Sequence, residues 1–166
     1  MKKAILLLAV VIMAFGQAFA GNWITRYITD AFGDPDYSQP VYTTDIIGTT
    51  DLVRQGESCT LCIMVKPEVE GPIIRLFLMR NEHQNFFEDT KVYIKLANGQ
   101  KFNIPCVEAK GDLRLGRNAE ECWKIIDILN KGNFLMVINS SGTFDRMKCT
   151  FNFGTQTTEI TNRVRR

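Results

Sequence analysis

A mainly β fold, an antiparallel β-sandwich with one short helix near the C-terminal third, is what this sequence predicts. Three observations carry that expectation. Short runs in which apolar and polar residues alternate recur along the chain. Clusters of Gly, Pro, Asn, Asp and Ser punctuate them. Helical spacing between a cap and a stop occurs in one stretch, residues 118–132.

The first twenty residues stand apart from this pattern and read as a bacterial-type signal peptide. Lys2 and Lys3 precede an apolar run, Ala4 to Phe15, that has the length of a signal core and is too short to span a bilayer. Ala18-Phe19-Ala20 places small residues where a signal peptidase reads, which predicts cleavage before Gly21. The expected organisation is a signal peptide over 1–20 and a single β-sandwich domain over 21–166. Its expected location is periplasmic, cell-surface or secreted, with no membrane span after cleavage. The chain has 20 basic and 18 acidic residues, and the two leader lysines account for the excess. A neutral domain without a basic run lacks the footprint of a nucleic-acid binder. Arg163, Arg165 and Arg166 read as a solvated end.

Taken in order, Trp23 to Thr29 alternates as a strand and Asp30 to Pro40 is turn chemistry. A second strand follows over Val41 to Ile47, closed by Gly48, with a loop from Thr49 to Ser58. Cys59 to Lys66 is apolar and β-branched and stops at Pro67. Ile73 to Met79 is apolar on both faces, as a strand deep in a sheet would be. Val92, Ile94 and Leu96 alternate up to Asn98-Gly99, and Phe102, Ile104 and Cys106 alternate back, which predicts a hairpin on a type I′ turn. Pro105, without an N–H, puts the returning strand at an edge or at its end. Asn118 and Glu121 have capping-box spacing, and Cys122, Ile125, Ile126 and Leu129 form a helical stripe ended by Lys131-Gly132. Strands over Phe134 to Asn139 and Asp145 to Phe153 close the fold, joined by a turn at Ser140 to Thr143.

Trp23, Tyr27, Asp30, Phe32, Gly33 and Asp34, with Gly48-Thr49 and the later Leu129-Asn130-Lys131-Gly132 helix ending, resemble small exported β-sandwich proteins of Bacteroidota. The chain departs from that pattern at Thr50-Asp51-Leu52 and in its cysteines. That group carries no established activity, so the resemblance implies a fold and no catalytic residues.

Five cysteines follow the leader. In an oxidising compartment disulfides are the default reading, and an odd count leaves a thiol over. Strand and helix parity turns Cys59, Cys106, Cys122 and Cys149 inward as disulfide candidates and Cys62 outward as the one left over. The pairing stays open, with Cys122 to Cys106 or Cys149 among the choices; buried thiols acting as small apolar residues are the alternative. Cys59-Thr60-Leu61-Cys62 has redox spacing but leads into a strand, where a thioredoxin-like site needs a helix N-terminus. Neither a second such pair nor a histidine pair is present to hold zinc.

His83, the single histidine, sits in a polar loop with no GxSxG partner. Asp30, Asp34 and Asp36 lack EF-hand spacing and read as turn formers. Phe86 and Phe87 are candidate ligand or partner contacts, or residues tucked under the end of the sandwich. The functional expectation is a non-catalytic exported binding or structural domain, its expected partner an envelope or extracellular protein or a glycan. It carries no cofactor or metal and binds no nucleic acid. The alternatives are a thiol-disulfide factor using Cys59 and Cys62, and a hydrolase whose site assembles only in three dimensions.

Overall fold

The computed structural model describes residues 22–51, 57–79, 89–109, 112–142, 146–155 and 160–165. The leader, His83, Phe86 and Phe87 lie outside the described residues. In chain order the elements are β1 (Ile24–Thr29), β2 (Pro35–Thr50), β3 (Glu57–Lys66), β4 (Ile73–Met79), β5 (Asp89–Leu96), β6 (Lys101–Ile104), β7 (Cys106–Ala109) and β8 (Asp112–Leu115). They continue as α1 (Ala119–Asn130), β9 (Phe134–Ser141), β10 (Arg146–Phe153) and α2 (Thr161–Val164).

All the strands belong to one antiparallel sheet in the order β6-β5-β9-β10-β2-β3-β4-β8-β7, with β1 added to β2. The mainly β, antiparallel expectation holds, but the two-layer sandwich gives way to a nearly closed, barrel-like sheet. The physical reason lies in one residue. β6 and β7 occupy opposite ends of the strand path, yet only Pro105 separates them in the chain. A chain that crosses from one edge to the other in one residue forces the edges together. Cys106 Sγ donates to the Thr90 carbonyl of β5 at 3.1 Å across this seam. The Pro105 carbonyl accepts from Gly116 N at 2.7 Å, which ties the crossing to the end of β8. Proline has no N–H to give a ladder, so the break costs no donor there.

Alternation then sorts the side chains. Leu61, Ile63 and Val65 of β3, Ile74 and Leu76 of β4, and Val92 and Ile94 of β5 are all buried. Met147, Cys149, Phe151 and Phe153 of β10 are buried as their parity predicts, and Phe153 stacks on Phe134 at 4.2 Å between ring centres. Helix α1 brings Cys122, Ile125, Ile126 and Leu129 into the same core. Its Asn118 cap accepts from Glu121 N at 2.9 Å, while the Glu121 carboxylate reaches back to Arg117 N at 2.8 Å, one residue earlier than in a capping box. Gly132 (φ 59°) and Asn133 (φ 46°) turn the chain out of the helix.

Several boundaries differ from the sequence reading. β2 begins at Pro35, so the turn is confined to residues between Asp30 and Asp34. The hairpin loop has three residues: Gly99 N donates to Leu96 O and Leu96 N to Gln100 O, both at 2.9 Å. With Gly99 at φ 86° and Asn98 absent from the positive-φ region, this is a type I turn with a glycine bulge, not a type I′ turn. Ser140 and Ser141 belong to β9, where the Ser140 hydroxyl lies 2.8 Å from that of Thr90. The strand returning from Gly99 ends at Ile104, and β7, β8 and α2 were not expected. α2 engages the arginines expected in solvent: Tyr42 Oη donates to the Arg163 carbonyl at 3.0 Å, the Arg163 guanidinium to the Trp23 carbonyl at 3.4 Å, and Arg165 lies over Trp123.

Gly48 sits where β2 is flanked by both β3 and β10. A methyl group there would overlap the Thr150 carbonyl oxygen and the Phe151 ring. Gly48→Ala should therefore destabilise the fold by roughly 2–3 kcal/mol, read as a lower urea midpoint at unchanged slope.

Candidate functional site

β2 has 16 residues, but its pairing with β3 covers only Tyr42 to Thr50. Its first part, from Pro35, pairs with β1 alone. The β1–β2 hairpin therefore runs past the barrel as a two-stranded arm, and every residue of β1 is exposed. At the tip the Asp30 carboxylate accepts from Phe32 N at 2.8 Å and from Asp34 N at 3.0 Å, and Gly33 takes φ 89°. This tight turn lifts the Phe32 ring clear, 92% exposed.

Below the tip the register slips. Tyr27 faces Pro40 but Ile28 faces Asp36, which leaves Tyr37, Ser38 and Gln39 unopposed in a bulge. The Asp36 carboxylate organises it, accepting from Ser38 Oγ at 2.6 Å, Ser38 N at 3.0 Å and Gln39 Nε2 at 2.8 Å. The hydrogen bonds from Ser38, then that from Gln39, hold the Asp36 carboxyl below the usual aspartate range. Their contribution is present above the ordinary pKa of 3.8 and is lost as pH falls through the lower folded value. Tyr37 meets Tyr27 edge-on at 4.9 Å. At the base of the arm Arg26 Nε donates to Thr43 Oγ1 at 3.0 Å.

The arm thus gathers Tyr27, Ile28, Phe32 and Tyr37, four of the nine exposed large hydrophobic residues among those described. A two-stranded ribbon has no core of its own in which to bury them. Large apolar side chains gathered in solvent on one element mark an interaction surface. Sequence reasoning missed this site because residues 30–40 read as turn. The available signal was two aromatics, Phe32 and Tyr37, inside a Gly/Asp/Pro run where neither serves a turn.

Asp30 and Asp36 both hold turn or bulge backbone. No group of three metal-ligating side chains occurs among the described residues. Glu120 and Glu121 are taken up by Lys124 at 2.6 Å and Arg117 at 3.0 Å.

Cys59, Cys122 and Cys149 are buried and Cys62 is on the outer face opposite Asp45 and Phe77, as parity predicts, while Cys106 starts β7 and is only partly buried. The expected disulfides are absent, and all five cysteines are thiols. Inward direction does not bring them together. Cys59 pairs with β2 at Gly48 and Cys149 at Thr50 on its other side; two strand spacings, about 9–10 Å, exceed the reach of a bridge. Cys122 Sγ instead donates to the Leu115 carbonyl at 3.4 Å and Cys106 Sγ to Thr90. Cys59 and Cys62 leave opposite faces of the strand β3, and neither stands at a helix N-terminus. Burial, then the neighbouring Asp45 carboxylate, pushes the Cys62 thiol up to about 12.

Among the described residues no helix is long and apolar enough to cross a membrane. No protein-family model, curated protein or solved structure matches the chain.

The raised Cys62 pKa has a measurable consequence. Iodoacetamide should modify Cys62 slowly at pH 8, with a rate that climbs as pH approaches about 12. Asp45→Asn removes the like charge and should speed the reaction at pH 9, by about tenfold for each unit of pKa lost. Peptide mapping after timed alkylation gives both rates.

Proposed function

We propose that this is an exported, non-catalytic binding domain that engages an envelope or extracellular protein through the β1–β2 arm. The carrying observation is the arm itself: Tyr27, Ile28, Phe32 and Tyr37 are displayed on a ribbon that outruns the barrel. Aliphatic and aromatic groups together suit a protein surface better than a polar one. Among the described strands β1 pairs only with β2, so its outer edge also offers backbone groups to an added strand. The leader pattern at residues 1–20 supports export. The residues that carry the likeness to small exported proteins of Bacteroidota include those that build the arm: Tyr27, Asp30, Phe32, Gly33 and Asp34.

A thiol–disulfide role draws no support from Cys59 and Cys62, which face apart, or from the raised Cys62 pKa. A hydrolase site would need a cleft holding His83 or two facing carboxylates, and His83 lies outside the described residues.

Photo-crosslinking in the exporting cell tests the arm. A benzophenone side chain at position 32 should trap one discrete protein, and the Tyr37→Ser change should weaken that adduct severalfold. The same probe at Val107, exposed on β7 at the far end of the strand path, should trap none. Equal adducts from both positions, or none from position 32, would refute the reading. Tyr37→Ser should leave stability within about 0.5 kcal/mol, as for an exposed site.

A further inference from the structure

We propose a second binding site, for an acidic polysaccharide, on the outer face of the β6-β5-β9-β10 sheet. The chain as a whole is close to charge balance, with 20 basic and 18 acidic residues. This face is not. Its outward positions carry Lys101 on β6, Lys91 and Lys95 on β5, and Arg146 and Lys148 on β10. Among the described residues two carboxylates border it: Asp89, 3.5 Å from Lys91, and Asp51, which accepts the Lys148 backbone N–H at 2.6 Å. Lys95, Lys101, Arg146 and Lys148 form no ion pair with any described carboxylate.

The register is informative. Lys95 faces Lys101 directly across the hairpin and has Leu135 on its other side. Like charges in directly opposed positions destabilise a strand pair, so the fold gains nothing from this arrangement. Tyr93 lies next along β5, between Asn103 and Val137. Further on, Asn139 lies between Lys91 and Lys148. Two cation groups therefore flank an apolar saddle of Tyr93, Val137 and Leu135, and a shallow groove of about 480 Å³ runs over it. Lys95 and Lys91 are four residues apart on one strand, about 13 Å.

That pattern matches a chain that alternates charge with flat C–H faces. Carboxylates or sulfates would meet the lysines, while a sugar ring lies on the Tyr93–Val137 saddle. A single-strand nucleic-acid site presents successive aromatic rings for stacking, and here Tyr93 is the one ring on the saddle. A membrane-docking face needs its apolar groups proud of the cations. Here Leu135 and Val137 are half-buried in the floor between longer lysines. No single strand is a basic run, so the patch exists only after the four strands pair.

The test uses the exported protein and fluorescent polygalacturonate oligomers, with neutral dextran and single-stranded DNA as comparators. Polygalacturonate should bind and dextran should not, and binding should weaken steeply between low and high salt. Lys95→Gln with Lys101→Gln should weaken binding at least tenfold without lowering the melting temperature, because it relieves a repulsion. Tyr93→Ala should weaken it severalfold. Lys124→Gln, on helix α1, should leave it unchanged, and so should Tyr37→Ser, which separates this site from the arm. Unaltered binding by the double lysine variant, no binding of polygalacturonate, or tighter binding of DNA through the same lysines would overturn the proposal.

Discussion

Closure of the sheet at Pro105 is the constraint on which the rest of the molecule depends. The two strands that flank this residue are neighbours in sequence and lie at the two ends of the strand path. The sheet has to bend round until those ends meet, and every inward side chain then faces the same enclosed volume. Only a curled sheet brings β10 phenylalanines, β3 and β4 aliphatics and the α1 stripe into one core. The Cys106–Thr90 and Gly116–Pro105 hydrogen bonds hold the two sides of the join.

Closure also decides where function can lie. The inward side chains of the described strands and of α1 pack into one apolar core, and both surfaces proposed for binding lie outside it. The two differ in chemistry. The arm is apolar and projects, as suits a protein partner. The β6-β5-β9-β10 face is basic and shallow, and it lies on the body of the barrel. A domain that holds an acidic matrix with one surface and a protein with the other would act as a bridge between them.

Most of the elements were legible in the sequence, and so was the inward or outward sense of each cysteine, because period-2 alternation survives whatever the sheet does globally. The Asn118 cap and the Cys122–Leu129 stripe were equally plain, since a helix encodes its own ends. Closure was not legible. Pro105 reads as an edge residue, which is correct, but nothing local says that it joins two edges. The arm was hidden for a related reason. Tyr37, Ser38 and Gln39 form a bulge inside β2, and a bulge and a loop use the same kinds of residue. The basic face was invisible because its lysines come from three separate strands, and bridges were expected where none form because parity gives direction and not separation.

The length of β2 has a mechanical meaning. One strand, Pro35–Thr50, is both half of the arm and an interior member of the barrel, hydrogen-bonded to β3 through nine residue pairs from Tyr42 to Thr50. A tug on the arm along its axis therefore arrives in the barrel as shear. The load is spread over many ladder bonds that must fail together, where a crosswise pull would open them singly like a zip. The arm works as a tether whose anchorage is continuous with the body it anchors.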